Sequence, residues 1–499
     1  MTERTANNIY FEDVLPQTGW GLYYKFMLGM ACASCFANAT AAMCIPLGIP
    51  LSSCESEINE ATLYQIFISF TIGRGLGGFI GNSLSDMFGR KRLLTNSLIL
   101  NFASTFMAAF AYNYYMIIFA VFFLGGSLEH HQNVVKIHLA EILPMNKRGH
   151  YLAMCDLFWT FGYILVAIVA IFFRSPSYIE HRVVDMRVTT WRMLFALSGG
   201  FSLVLACASA LLEESPRYFL HSRKEYLAVL TLKQFYAINK STYGNSFDVK
   251  ENDIRDLVRD YGLYYQPETL GFSRPLFDIM VLVGKALTLL YSKAFGKFTA
   301  TLLVLKTSIF LLRIVDVNIF LAKNLGETFP LNGIDIIYLD TLKNNNMCGT
   351  FEENNILFFN FLILSTNILL GQLLMVCLLD LMRRKISLFL GMFITGLCFV
   401  SLYFIKDGMT KMIFSSVLMI SFSIVMTVIS VINIETFPTS LRATSHGATS
   451  FLGIILSIFL IRFYFYFSNL FVIIMGSLFI LTSFVSWSIY DLSKQPMIE

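Results

Sequence analysis

Apolar residues fall in twelve long runs, near 22–48, 63–84, 93–112, 114–138, 151–173, 192–212, 300–322, 355–379, 386–405, 411–434, 443–466 and 468–489. Each approaches the ~20 residues that a helix needs to cross the hydrocarbon core of a bilayer. A polar stretch, 213–299, divides the runs into six and six. The pattern predicts an all-α membrane protein with twelve transmembrane helices in two six-helix bundles. Its parts are an N-terminus at 1–21, a first bundle at 22–212, a linker with short helices at 213–299, a second bundle at 300–490 and a tail at 491–499. One linker segment, 276–290, is apolar but short, and Asp278, Gly284 and Lys285 interrupt it. It reads as an interfacial amphipathic helix. Counting it as a span would invert the second bundle.

Composition supports the bilayer as solvent. Of 499 residues, 56% are hydrophobic and only 14% charged, against about 25% charged in soluble domains. A net charge of +4, spread along the chain, implies no nucleic-acid partner. The first residues are polar, with Glu3, Arg4, Glu12 and Asp13, so no cleavable signal peptide is expected and the N-terminus is placed in the cytoplasm. Basic residues in the short connections, Arg90-Lys91-Arg92, Lys147-Arg148, Arg383-Arg384-Lys385 and Arg442, then share that side. The opposite loop near 174–191 also carries Arg174, Arg182 and Arg187, so the tight loops follow the rule best.

Cys32, Cys35, Cys44, Cys155, Cys207, Cys377 and Cys398 lie in apolar runs and read as small hydrophobes. Cys32 and Cys35 form a CxxC, but spacing alone inside a membrane helix does not make a metal or redox site. Cys54 and Cys348 fall in predicted exterior loops, where a disulfide and two free thiols are both open.

Two charged motifs recur at one shift. Asp86, Arg90 and Lys91 return as Asp380, Arg384 and Lys385, and Glu141-x-x-Pro144-x-x-x-Arg148 returns as Glu435-x-x-Pro438-x-x-x-Arg442. Both are displaced by 294 residues (380 − 86 and 435 − 141). The repeat puts pseudo-equivalent acid and Arg clusters on one face. They either pair across neighbouring helices in one access state and part in another, or are solvated charges that only fix topology.

The run Gly81-Asn-Ser-Leu-Ser-Asp86-Met-Phe-Gly89-Arg90-Lys91-Arg92 resembles the signature loop of the major facilitator superfamily. Glu214-Ser215-Pro216-Arg217-Tyr218 resembles a motif of its organic cation transporter and sugar porter branches. Arg223-Lys224-Glu225, Gln234-Phe-Tyr-Ala-Ile-Asn239, Trp191-Arg192 and Glu435-Thr-Phe-Pro438 are similar to the synaptic vesicle glycoprotein 2-like group. The resemblance covers nearly the whole chain and implies the major facilitator fold, two six-helix pseudo-repeats with a solute site near midplane. Departures are Asn82 and Arg383 where the signature loops carry Gly, and Val121 where span 4 carries Arg. The predicted exterior loop at 323–354 is short for the vesicle group, and no Asn-x-Ser/Thr sequon lies in a predicted exterior loop.

Charges inside a membrane are functional candidates. In span 4, Glu129, Asn133 and Lys136 share one helical face. They are either a polar wall of a solute path, with Glu129 as a proton or cation site, or an internal Glu–Lys pair that fixes packing. His131 and His138 lie on a neighbouring face, as proton-coupling groups or as packed side chains. In span 7, Arg313 and Asp316 sit i, i+3 beside Asn318, lining a cavity or pairing with each other. Arg74 and Asp156 are isolated polar positions, and Trp159 is a candidate solute contact or a packing residue. The proposed gate motifs are Asp86, Gly89, Arg90, Glu141, Arg148, Asp380, Arg384, Glu435 and Arg442.

Gly73-x-Gly75-x-x-Gly78 matches a dinucleotide pattern by letters, but it sits inside a membrane helix. No cofactor, metal site or enzymatic constellation is expected. The readings are a secondary transporter of a small organic solute, with a coupling ion as a further partner, or a non-transporting membrane protein of the same fold. Either is read as a monomer with cytoplasmic termini, in the plasma membrane or in vesicles.

Overall fold

A computed structural model describes residues 11–49, 52, 60–172, 182–183, 186–187, 189–241, 275–314, 355–405, 407–466 and 468–489. Among the described residues, twelve long helices overlap the twelve apolar runs. They are α1 (Leu22–Met43), α2 (Glu60–Phe88), α3 (Arg90–Ala109), α4 (Tyr114–Ile142), α5 (Arg148–Phe172) and α6 (Thr190–Ser209), then α7 (Gly296–Ile314), α8 (Asn355–Leu378), α9 (Arg384–Phe404), α10 (Gly408–Thr436), α11 (Arg442–Tyr466) and α12 (Ser468–Val485). Seven helices are long and apolar enough by length and composition to cross a membrane. The other five are α2, α3, α4, α7 and α12; of these α2, α4 and α7 carry Arg74, Glu129, Lys136 and Lys306 in their length. Large apolar side chains such as Ile99, Phe119, Val204, Leu397 and Phe459 face outward, as a bilayer requires and water does not. The protein is an integral, multi-pass membrane protein.

The repeat shapes the helix ends. Asn113 caps α4 by accepting a hydrogen bond from the Met116 N–H, and Asp407 caps α10 by accepting one from the Thr410 N–H. These caps are again 294 residues apart (407 − 113). The Thr410 hydrogen bonds hold the Asp407 carboxyl below its ordinary range. Both helices end on an extended residue, Leu143 and Phe437, because the next residue is Pro. Directly after α1, the turn around Pro46 widens to π geometry over Cys44–Gly48, as expected where proline removes a backbone donor.

Packing repeats as well. In the first bundle α4 packs on α2 and α3, α3 on α6, and α1 on α5; in the second, α10 packs on α8 and α9, α9 on α12, and α7 on α11. The bundles meet through α2 with α11 and α5 with α8. Shifting by one repeat exchanges these two contacts, so the halves are related by a pseudo-two-fold axis. Lys136 Nζ lies 3.5 Å from Ser430 Oγ, its own repeat counterpart 294 residues on. A residue that touches its counterpart must sit at that axis. Close helix approach depends on small residues. A Cβ on Gly77 of α2 would lie 2.3 Å from the Cα of Gly126 in α4, so these backbones nearly touch.

The linker helices Pro216–His221 and Glu225–Lys240 pack with Phe11–Thr18 beneath the first bundle. Phe235 stacks on Tyr23 with centroids 4.2 Å apart, and Asn239 accepts from the Tyr23 N–H while donating to the Gly19 carbonyl. The apolar linker segment is a separate helix, Pro275–Leu290, short of spanning length. Two two-residue strands, Arg182–Val183 and Met186–Arg187, pair antiparallel. Cys54 and Cys348 lie outside the described residues. Cys32, Cys35, Cys44, Cys155 and Cys398 are buried free thiols, and Cys207 and Cys377 are exposed.

Candidate functional site

Two layers of charge lie along the pseudo-two-fold axis. The first is at the end of the bundle where α2 turns into α3. Gly89, with φ +102, makes this turn in a conformation that other residues rarely adopt. The turn leaves the α3 N-terminus open, and Glu214 fills it. Its carboxylate accepts from the backbone N–H groups of Arg90 (2.9 Å), Lys91 (3.1 Å) and Ser215 (3.0 Å). Burial pushes the Glu214 carboxyl above its ordinary range, although these donors and Arg90 oppose the shift.

A Cβ on Gly89 would lie 2.2 Å from Glu214 Oε2. Gly89→Ala therefore combines backbone strain with eviction of the cap, and about 1–3 kcal/mol of stability should be lost. Thermal unfolding in detergent checks this, with Glu214→Ala expected to show a similar loss. An unchanged midpoint in both variants would remove the cap from the fold's essential contacts.

Arg90 is fully buried and holds two acids: Asp86 at 3.0 Å and Glu141 at 3.1 Å. It also donates to the Ser85 carbonyl and, across the boundary between halves, to the Thr439 carbonyl at 2.7 Å. Glu141 in turn holds Arg442 of the second half at 2.9 Å. Asp86 accepts from the backbone N–H of Thr444 (2.8 Å) and from its hydroxyl (2.9 Å), at the first turn of α11. Arg217 completes the cluster by donating to the Glu141 carbonyl.

The same bonds recur one repeat later. Arg384 holds Asp380 (3.2 Å) and Glu435 (3.3 Å) and donates to the Leu379 carbonyl. Asp380 accepts from the His150 N–H (2.8 Å) at the first turn of α5. The field of Arg148, the counterpart of Arg442, falls on Glu435. Each half thus offers an Asp to the N-terminus of a helix in the other half, where the helix dipole favours negative charge. The lattice closes this end of the molecule by ion pairs and caps.

The second layer is mid-bundle, and in it the halves differ. The face with Glu129, Asn133 and Lys136 in α4 has Ser423, Thr427 and Ser430 at the repeat positions in α10. Glu129 pairs with Arg74 of α2 at 2.6 Å, and Lys136 pairs with Asp156 of α5 at 2.5 Å. Glu129 and Lys136 thus each find a partner on another helix. Two turns of one helix put them about 10 Å apart, too far to bond. The two isolated polar positions of the sequence, Arg74 and Asp156, are those partners. Asn133 is buried, and its amide nitrogen has no hydrogen-bond partner among the described residues.

His131 is buried and its Nδ1 lies 2.8 Å from the Ser97 hydroxyl. His138 is also buried, with Nδ1 4.0 Å from Glu214. Trp159 is half-buried against the core and tilted on Tyr163 at 5.9 Å. Arg313 lies in the last turn of α7, while Asp316 and Asn318 fall outside the described residues.

One interior charge was absent from the sequence candidates. Lys306 of α7 is buried and donates to the His446 carbonyl (3.1 Å), the Thr449 hydroxyl (2.9 Å) and the Ser450 hydroxyl (3.2 Å) of α11. The criterion that flags Glu129, a charge inside an apolar run, flags Lys306 equally. Among the described residues no cluster of three or more His, Cys, Asp or Glu side chains could hold a metal ion.

Comparison with known proteins agrees with this architecture. Residues 30–260 match the family model described as "Sugar (and other) transporter". Synaptic vesicle glycoprotein 2A of Rattus norvegicus is 25% identical over 281 residues, 51% of this chain and 36% of that protein. Synaptic vesicle glycoprotein 2B of Mus musculus is 25% identical over 247 residues, 47% of this chain and 34% of that protein. The match thus spans about a third of each relative.

Among solved structures, the proton:xylose symporter XylE bound to 6-bromo-6-deoxy-D-glucose superposes with a TM-score of 0.67 at 15% identity, covering 96% of this chain and 98% of that one. The E. coli fucose:proton symporter FucP gives a TM-score of 0.61 at 12% identity, covering 94% and 100%. At such identities the likeness is one of fold, whereas the vesicle glycoproteins carry the kinship in sequence. The chain thus has the fold of these solved symporters, and its sequence is similar to the synaptic vesicle glycoprotein 2 proteins over about half its length.

Proposed function

We propose that this protein is a secondary transporter that moves a small organic solute by rocking its two halves about a midplane site. The lattice carries this reading. Halves joined at one end by a few discrete buried ion pairs and helix caps, Glu141 to Arg442 and Asp86 to Thr444, have a junction that can break and reform as a unit. In this reading all twelve helices span the bilayer, the Arg90 end faces the cytoplasm, and the lattice is the inner gate. The solutes named for the solved relatives, xylose and fucose with protons, support a solute and coupling-ion mechanism in outline. The solute itself is a separate question, because the interior chemistry here is charged. No ATP-binding motif occurs in the sequence, so a gradient supplies the work.

The test is uptake into proteoliposomes with sugars, organic cations and organic anions. Saturable flux is expected for one class. Glu129→Gln should lower it at least about tenfold, since it leaves Arg74 charged and unpaired inside the membrane. Flux unchanged in Glu129→Gln would leave transport standing and remove Glu129 from the path. No flux of any class would favour a non-transporting partner protein. The pairing of both mid-bundle carboxylates, Glu129 and Asp156, is the observation on that side.

A further inference from the structure

The charges in the middle of the bundle do not balance. Arg74 is matched by Glu129, and Lys136 by Asp156. Lys306 has three neutral oxygens as partners and, among the described residues, no carboxylate within ion-pair distance. Hydroxyls and a carbonyl satisfy its three donors but give it no paired carboxylate; the field of Glu129 reaches it, but Glu129 is already paired with Arg74. A lone buried ammonium is costly, and proteins normally place a counter-charge beside it.

Lys306 also stands beside the other candidate groups. Arg74 of the first half lies 5.8 Å over the ring of Phe310 in the second. Phe310 is one turn above Lys306 on the same face of α7. The Glu129 side chain packs on Gly78, whose carbonyl lies against Gly447, next to the residue whose carbonyl holds Lys306. Two cations, one from each half, therefore flank the boundary between halves about one helical turn apart, with a single carboxylate beside both. The side chain of Asn82, fully buried one turn from Gly78, has no hydrogen-bond partner for its oxygen or its nitrogen among the described residues, and it packs against Gly447. It offers a further donor beside the same spot.

We propose that the missing counter-charge is the solute: a small organic monoanion, of the carboxylate or sulfonate class, received between Lys306 and Arg74. The anion pairs with the Lys306 ammonium and competes with Glu129 for Arg74. Binding thus draws one group from each half onto a single ligand. This inference rests on the transport reading for its consequence, but its first test is binding.

The full-length protein, purified in detergent, is titrated with benzoate and benzenesulfonate, and with benzamide as the uncharged match. Glucose and choline serve as the other classes. Thermal stabilisation is expected with the two anions and not with benzamide, glucose or choline. Lys306→Gln should weaken anion binding at least about tenfold, and Lys306→Arg should retain most of it. Should Lys306→Gln fold poorly, the wild-type contrast between benzoate and benzamide decides alone.

Uptake of labelled benzenesulfonate into proteoliposomes separates the two claims. Anion stabilisation with uptake supports both. Anion stabilisation without uptake supports the site and counts against transport. Stabilisation by glucose or choline and not by the anions, or anion binding unchanged in Lys306→Gln, overturns the inference and leaves transport standing if flux of another class is found. No stabilisation by any anion also overturns it.

Discussion

Glu141→Gln should open the molecule at its Arg90 end. The substitution keeps the shape of the side chain and removes one charge. That charge faces Arg90 at 3.1 Å and Arg442 of the other half at 2.9 Å, and all three side chains are completely buried. Removing one member of a buried ion pair costs about 3–5 kcal/mol, because the remaining charge has no water to return to. Here two guanidinium groups are left together. The cost falls on the closed arrangement, since separating the halves lets water reach Arg442. A difference of this size changes the ratio of the two states by about a hundred- to several thousandfold. Thiol labelling of a single cysteine placed at this boundary should accelerate accordingly, while labelling at the opposite end should slow. Equal labelling in wild type and variant would mean that Glu141 does not hold the halves together.

The second large effect concerns Lys136 and Asp156. Lys136→Met alone strands the Asp156 carboxylate in the bundle, and about 3–5 kcal/mol of stability should be lost. Asp156→Leu alone strands the lysine at a similar cost. The double variant, Lys136→Met with Asp156→Leu, removes both charges and should regain most of the loss, since apolar replacement of a whole buried pair is often neutral. Thermal midpoints of the four proteins in detergent give the coupling directly. Additive losses would show that the two groups act separately. Function should separate from stability here. Lys136 touches its repeat counterpart Ser430 across the axis, so the folded double variant should still lose flux if this contact guides the rocking motion.

These two sites show what the sequence could reveal. The duplicated charged motifs were legible because they occur twice at one spacing, and Asp86, Arg90 and Glu141 do meet around a shared centre, as do Asp380, Arg384 and Glu435. The bonds across the halves were not legible. Asp86 to Thr444 and Glu141 to Arg442 join residues 358 and 301 positions apart, and no local periodicity encodes such pairs. The same holds mid-bundle. Helical spacing groups Glu129 with Lys136, but their partners come from α2 and α5, which only the packing brings close. Lys306 was legible as a charge in an apolar run. Its meaning was not, because it depends on which oxygens of α11 face it and on its having no paired carboxylate among the described residues.

The capping role of Glu214 was hidden for a related reason. The motif Glu214-Ser215-Pro216-Arg217 stands out in the sequence only by resemblance, but its carboxylate acts on the N-terminus of α3, more than a hundred residues earlier. The turn at Gly89 needs both the positive φ and the space that glycine leaves.

The central claim is that the lattice is a reversible gate between two moving halves. Spin labels at Lys147 and Arg383, exposed positions in the α4–α5 and α8–α9 connections, allow the distance across this end to be measured by pulsed electron resonance in lipid nanodiscs. Two distance populations are expected in the wild type, the shorter matching the closed lattice, with Glu141→Gln moving the weight to the longer one. A single distance, unchanged by Glu141→Gln, would contradict it.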